Sequence, residues 1–97
     1  MYKVLITETA QNQIDNAYDW YEIKSVGYGN LFFVSMMDCL KLIGKNPFIF
    51  ALVYKEIRRA LTKKFPYSVY YRIDETNKIV EVIAVKHQSE NNDWLND

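Results

Sequence analysis

The spacing of apolar residues changes once along this chain, near Tyr54, and that change limits the folds open to it. Between residues 7 and 45, apolar residues recur every three or four positions, which predicts two amphipathic helices separated near Gly27. Beyond Tyr54 they alternate with polar residues, most clearly over 67–74, which predicts β-strands. A short alternating stretch at 2–6 predicts one more strand. The helical pair is therefore flanked in sequence by strands.

Local signals give the expected bounds of these elements. Thr7 is a suitable N-cap for the first helix, and Asn46-Pro47 ends the second, because the residue before a proline disfavours helix. The apolar run 48–52 is interpreted as a connector that packs beneath the domain. Three strands are then expected, at 57–61, 67–73 and 79–85.

The predicted order of strand, helix, helix and three strands points to one fold class. The apolar stripe that the two helices share needs a partner, and an antiparallel meander supplies one. We therefore expect a single α+β domain over residues 1–97, with two layers. In it, an N-terminal strand and an α-helical hairpin pack on a mainly antiparallel sheet of about four strands.

Composition excludes several classes of function. Twelve Lys and Arg balance twelve Asp and Glu, which argues against a general polyanion binder. One Cys and one His exclude an internal disulfide and any metal site built on several such residues, so we expect no metal and no cofactor. The chain shows no signal-peptide pattern and no apolar run near the ~20 residues of a membrane span, so a cytoplasmic protein is expected.

Positive charge is concentrated in one predicted hairpin. Residues 55–72 hold six basic side chains against one acidic one, whereas 73–97 hold two against six. Such a patch contacts phosphate or an acidic partner, or it is only the solvated edge of a sheet, since edge lysines prevent aggregation. Four of these residues are candidates for contacts with a target: Arg58, Arg59, Lys63 and Lys64. The two arginines are adjacent on a strand and must lie on opposite faces.

Two further candidates for target contact have ring side chains, His87 and Tyr67. His87 is the only imidazole and is suited to proton transfer near neutral pH, or it only bonds the backbone at a strand end. Tyr67 is suited to stacking on a nucleobase or to packing in the core. Alternation places Tyr71 in the core and Tyr70 on the other face of the sheet. Cys39 is interpreted as a small buried apolar residue and not as a nucleophile.

The second predicted helix holds more large apolar residues than one face can bury. Some of them must remain exposed, and exposed apolar surface is typical of a protein-binding site. The crowded residues are Phe32, Phe33, Met36 and Met37.

Residues 54–73 carry a motif that adds to this interpretation. An Ile-Arg pair is followed by a short turn, by Phe65-Pro66-Tyr67 and by a strand containing Tyr70-Tyr71. This pattern resembles the signature of the RelE/ParE toxin superfamily, the small toxins of bacterial type II toxin–antitoxin modules. The stretch 80–87 resembles the last strand of that family, and Trp94 resembles the aromatic anchor that follows it. The resemblance covers essentially the whole chain.

The resemblance implies one of two activities. RelE-like members cut messenger RNA on the ribosome, whereas ParE-like members inhibit DNA gyrase. The Phe-Pro-Tyr motif is closer to the ParE-like, or plasmid stabilization, branch. RNA-cleaving members carry arginines at positions that match Ser68 and, after the last strand, Gln88 or Glu90 in this chain. Cutting RNA needs cationic charge at the phosphate, and these cations are absent here.

The resemblance therefore implies a ParE-like toxin that inhibits DNA gyrase by binding, without chemistry of its own, and that a cognate antitoxin neutralises. The alternatives are a RelE-like mRNA endoribonuclease and a degenerate member without toxicity. Target contacts would come from Arg58, Arg59, Lys63, Lys64, Tyr67 and His87. Antitoxin contacts would come from Phe32, Phe33, Met36 and Met37. Without its antitoxin, the chain is expected to form a homodimer or to be poorly soluble.

Overall fold

The computed structural model describes residues 1–96, and the side chains of residues 1–95. Two α-helices and five strands form this part of the chain, with two short 3₁₀ turns at Pro47–Ile49 and Asp93–Asn96. The elements are β1 (Lys3–Ile6), α1 (Glu8–Lys24), α2 (Tyr28–Lys45), β2 (Ala51–Tyr54), β3 (Ile57–Leu61), β4 (Tyr67–Asp74) and β5 (Ile79–His87). This is the predicted α+β class, with a helical hairpin on one face of a sheet.

The sheet has the strand order β1-β5-β4-β3-β2 and therefore five strands instead of the expected four or so. β1 runs parallel to β5, and the other neighbours are antiparallel. The interpretation of 48–52 as a connector was wrong, because its last two residues begin β2, which pairs with β3 through Ala51 and Arg59. Only four residues long and apolar throughout, this edge strand has no alternation that would mark it in the sequence.

Side chains cap the N-terminal ends of both helices of the hairpin: Thr7 caps α1, and Glu22 of α1 caps α2. Thr7 caps α1 as predicted, since its hydroxyl accepts the Ala10 N–H at 3.2 Å. α2 begins at Tyr28, directly after the expected separation near Gly27. The Glu22 carboxylate accepts the N–H groups of Gly27 at 3.1 Å and Gly29 at 3.0 Å, and so serves as the cap that the Gly27 position lacks.

The main core lies between the hairpin and the sheet. Phe32 and Met36 of α2 are fully buried there against Val69 and Tyr71 of β4. Tyr71 satisfies its buried hydroxyl by donating to the Pro47 carbonyl at 2.5 Å, and burial raises its pKa to about 12. The predicted core position of Tyr71 is confirmed.

A smaller apolar cluster covers the other face of the sheet. Tyr70 is buried there, as predicted, with the ring of Trp94 at 4.8 Å and Asn92 Oδ1 accepting its hydroxyl at 2.9 Å. Leu95 completes the cluster, so the segment after β5 is anchored on the sheet. Within residues 1–96, no helix is both long enough and apolar enough to span a bilayer.

Candidate functional site

An open cleft of about 370 Å³ lies between α1 and the carboxyl end of β5. We call it the His87 cleft. Polar and aromatic side chains make up most of its walls: Gln13, Trp20, Tyr67, Lys86, His87 and Glu90. The mixture of hydrogen-bonding groups with exposed ring surface fits a recognition site better than a purely structural gap.

Strand register brings the two ring-bearing candidates together in this cleft. Tyr67 opens β4 and pairs with His87 at the end of β5, which places their ring centroids 5.3 Å apart. Tyr67 also lies 5.1 Å from the ring of Phe32, so it belongs to the edge of the core as well as to the cleft. Burial raises the pKa of Tyr67, and the nearby Tyr21 and Glu90 raise it further. Its hydroxyl is therefore protonated at neutral pH and serves as a donor.

A local bond fixes the hydrogen position on the imidazole of His87. The Ser89 backbone N–H donates to Nδ1 at 3.0 Å, and the Ser89 hydroxyl lies 2.8 Å from the same nitrogen. Because Nδ1 accepts, the hydrogen of the neutral ring lies on Nε2. In this tautomer His87 offers the cleft an N–H donor, and Ser89 engages the lone pair of Nδ1.

The charged groups of the cleft are engaged with one another. Glu90 Oε2 accepts the backbone N–H of His87 at 2.9 Å, while its Oε1 lies 3.9 Å from Lys86 Nζ. The two positions where the resemblance implies an arginine in RNA-cleaving members carry no positive charge in this chain. Ser68 is buried, and the Gln88 side chain bonds the Tyr67 carbonyl at 3.5 Å.

The two arginines of β3 lie on opposite faces of the sheet, as predicted. Arg58 is on the helix side, where Nη1 donates to the carbonyls of Phe50 at 2.7 Å and Phe48 at 3.3 Å. It therefore fastens the turn before β2. Arg59 is half-buried on the other face, opposite Tyr70. Among the described side chains, Arg59 forms no ion pair.

A second and larger depression, of about 650 Å³, runs between α2 and the loop joining β3 to β4. We call it the α2 groove. Four exposed apolar side chains of α2 line it, namely Tyr28, Leu31, Val34 and Leu42. Lys63 and Lys64 line it from the loop, and Asp38 lines it from the helix. The predicted target residues therefore fall on separate surfaces, because these lysines line the groove and not the His87 cleft.

The orientation of α2 buries two of the four predicted antitoxin contacts and leaves the other two at least partly exposed. Phe32 and Met36 are fully buried, so they fill the core and offer no surface to a partner. Phe33 is exposed and Met37 is half-buried, and neither lines the groove. An apolar excess on this helix was expected, but Leu31, Val34 and Leu42, which line the groove, were not among the predicted residues. Their helical spacing, on a second stripe beside the core stripe, is the signal that identifies them.

Cys39 lies at the floor of the groove and is buried, as predicted. Burial raises the pKa of its thiol to about 11, which leaves it protonated and unreactive. Among the described residues, no cluster of three or more His, Cys, Asp or Glu is arranged to hold a metal ion.

Solved structures of toxin–antitoxin proteins share this fold. A chain from the chromosomal ParDE system of P. aeruginosa superposes with a TM-score of 0.64 at 14% identity, over 90% of this chain and 96% of that one. A chain from the intact RelBE complex of E. coli gives 0.70 at 16%, over 94% and 100%. The isolated E. coli RelE toxin gives 0.70 at 14%, over 97% and 92%. At such low identities, these likenesses establish the fold alone.

A match to a sequence family is more specific about the identity of a protein than a likeness of fold. No curated protein sequence gives a significant match to the chain. The family described as the ParE toxin of type II toxin-antitoxin system, parDE, matches residues 4–92, from β1 through the segment after β5. This match confirms the resemblance seen in the Phe-Pro-Tyr motif and includes both the His87 cleft and the α2 groove. The chain therefore belongs to the ParE toxin family of type II toxin–antitoxin systems.

Proposed function

We propose that this ParE-type toxin acts on DNA gyrase and inhibits it by binding, without cutting RNA. The observation that carries the proposal is the bonding of His87, whose Nδ1 accepts the Ser89 N–H. Cleavage of RNA through its 2′-hydroxyl needs a base that takes the hydroxyl proton and a cation at the phosphate.

The other groups of the His87 cleft support the same conclusion. The Tyr67 hydroxyl is protonated at neutral pH, since its pKa is raised. Lys86 Nζ lies 3.9 Å from Glu90 Oε1, so the cation of the cleft is paired with a carboxylate. What the cleft offers is recognition, through the Nε2–H of His87, the phenol of Tyr67 and the exposed ring of Trp20. We assign target contact to these groups and to Arg59, whose guanidinium is unpaired among the described side chains.

The proposed partner is a cognate antitoxin that covers the apolar surface of α2. Two observations support it: the family is that of toxin–antitoxin systems, and Leu31, Val34 and Leu42 are each 45% exposed or more. Solvent exposure of adjacent large apolar groups is unfavourable in a monomer, and a bound antitoxin removes it. A gyrase target would place the toxin in the cytoplasm, and a plasmid-borne module of this kind would stabilise its plasmid.

Induced expression in a bacterial host tests binding against cleavage. We expect growth arrest, with primer extension showing messenger RNAs that remain uncut. The paired variants His87→Ala and Trp20→Ala should relieve the arrest, whereas Glu75→Ala, in the β4–β5 turn, should not. Cuts within translated codons would replace this proposal with the RelE-like activity. Normal growth with folded wild-type protein would indicate a member that has lost toxicity.

A further inference from the structure

The carboxyl half of β5 bonds to side chains where no strand covers it. β1 pairs with β5 only over residues 79–82, and the His87 cleft lies beside the residues that follow. In this half, Val85 donates its backbone N–H to Gln13 Oε1 at 2.6 Å, and His87 donates its own to Glu90 Oε2 at 2.9 Å. A backbone N–H outside a ladder needs an acceptor, so these bonds hold two side chains that line the cleft.

The bond from Val85 also determines how the amide of Gln13 is oriented. A backbone N–H can only donate, so the atom that faces it must be the amide oxygen. The other end of the amide is the amino group, which carries two donor hydrogens and no acceptor. Gln13 therefore contributes a donor to the cleft that it lines.

Ser89 orients the imidazole of His87 by the same logic. Its backbone N–H donates to Nδ1 at 3.0 Å, which is the bond from residue i to residue i+2 that Asn and Asp side chains make in an Asx turn. The Ser89 hydroxyl lies 2.8 Å from the same nitrogen. With Nδ1 engaged as an acceptor, the hydrogen of the neutral ring lies on Nε2, so His87 also contributes a donor.

The remaining polar groups of the cleft follow the same division. The Glu90 carboxylate faces donors of the protein itself, namely the His87 N–H and, at 3.9 Å, Lys86 Nζ. Tyr67 offers a protonated hydroxyl, and the indole N–H of Trp20 can only donate. The acceptors of Gln13, His87 and Glu90 are thus used within the protein, while donors remain for a ligand.

We propose that the His87 cleft binds an oxygen acceptor of the target protein, a carboxylate or an amide carbonyl, through Nε2 of Gln13 and Nε2–H of His87. In this proposal Ser89 is the positioning residue that holds the imidazole in the required tautomer. The inference rests on the proposed function for the identity of the target. It adds the chemical class of the group that the cleft recognises and assigns a role to Gln13 and Ser89.

NMR of the full-length, tag-free chain tests the tautomer. His87 is the only imidazole, so the ring nitrogen-15 signals report this residue alone. At pH 8, where an unperturbed imidazole is neutral, we expect the Nε2–H form. Ser89→Ala keeps the backbone N–H and should keep that form, whereas Ser89→Pro removes the N–H and should give a mixture of tautomers. An Nδ1–H form in the wild type, or an unchanged tautomer in Ser89→Pro, would show that Ser89 has no such role.

Small probes at constant ionic strength test the class of ligand. Sodium acetate supplies a carboxylate, dimethylacetamide supplies a carbonyl without an N–H, and methylammonium chloride can only donate. The two acceptors should shift the side-chain amide signal of Gln13 and the indole signal of Trp20, and methylammonium should not. The indole of Trp94, whose Nε1 is buried on the other face of the sheet, is the internal control and should not respond.

The comparison between probes identifies the acceptor. Shifts with acetate alone would assign the cleft to a carboxylate, and shifts with both acceptors would extend it to a carbonyl oxygen. The absence of a shift with either acceptor, or equal shifts with methylammonium, would overturn the proposal.

Two variants retain the backbone bonds and remove only the donors. Gln13→Glu keeps an oxygen for the Val85 N–H and replaces the amino group with a second oxygen. His87→Asn keeps an oxygen within reach of the Ser89 N–H and has no Nε2–H. Each variant should lose the probe shifts, and each should inhibit gyrase about tenfold more weakly, which is the contribution of one hydrogen bond.

Asn12→Asp is the matched control, because it makes the same amide-to-acid change at an exposed position of α1 that does not line the cleft. It should bind the probes and inhibit gyrase as the wild type does, and thermal unfolding checks that every variant is folded. If the wild type binds the acceptors but does not inhibit gyrase, the proposed function fails and the assignment of the cleft stands. If the wild type inhibits gyrase and both donor variants inhibit it equally well, the cleft does not contact the target and the inference is wrong.

Discussion

Removing the Glu22 carboxylate should loosen the corner of the helical hairpin. Glu22 accepts both the Gly27 and the Gly29 N–H, and Gly27 itself provides no side-chain cap for α2. Losing a cap costs about 1 kcal/mol, and a hydrogen bond to a charged acceptor contributes about 1.5–3 kcal/mol before any discount for exposure to solvent. Because Glu22 is only half-buried, we expect Glu22→Ala to lower the free energy of unfolding by about 1–2 kcal/mol.

Thermal unfolding followed by circular dichroism measures this effect. For a domain of this size, 1 kcal/mol shifts Tm by about 4–8 °C, so a decrease of roughly 5–15 °C is expected. Asp19→Ala is the matched control, since Asp19 is exposed on the same helix and makes no side-chain hydrogen bond among the described residues. Equal Tm values for the two variants would show that the Glu22 bonds do not stabilise the hairpin.

Three other residues give predictions that are simpler to test. Tyr71→Phe leaves the buried Pro47 carbonyl without its donor and should lower stability by about 1–2 kcal/mol in urea titrations. The Cys39 thiol, with a pKa of about 11, should resist a thiol reagent at pH 8 in the folded protein and react once the protein is unfolded in urea. Hydrogen bonds from Asn77 lower the pKa of Asp74, so its stabilising effect is complete above pH ~4 and disappears as the pH falls through the lower folded value. Asn77→Ala should therefore weaken the acid dependence of Tm below pH ~4.

The sequence predicted best where periodicity is long and uninterrupted. The alternation over 67–74 placed Tyr71 in the core and Tyr70 on the other face, and both positions are confirmed. The four-residue β2 was missed because an apolar edge strand of that length has no distinguishing period. Neighbouring side chains of α2 point about 100° apart, so only one of Phe32 and Phe33 can face the core. Which of the two is exposed depends on how the hairpin packs on the sheet, and the sequence pattern does not give that orientation.

The functional surfaces were harder to predict than the fold. Lys63 is close in sequence to Tyr67, and both were candidates for contact with the target. The left-handed φ of Lys64 and the hydrogen bonds of Thr62 direct the loop toward α2. The spacing of apolar residues in the sequence gives no indication of such a turn. The role of His87 was also left open in the sequence analysis. In the structure, the backbone N–H of Ser89, two residues later, donates to Nδ1 and so determines the tautomer of the ring.

Gyrase inhibition by the purified toxin tests the central claim most directly. In an ATP-dependent supercoiling assay on relaxed plasmid, we expect the wild type to inhibit the reaction in proportion to the toxin bound, and antitoxin to restore it. The variant carrying His87→Ala and Trp20→Ala should inhibit weakly, while Glu75→Ala should inhibit as the wild type does. Full supercoiling in the presence of excess folded wild-type toxin would contradict the account.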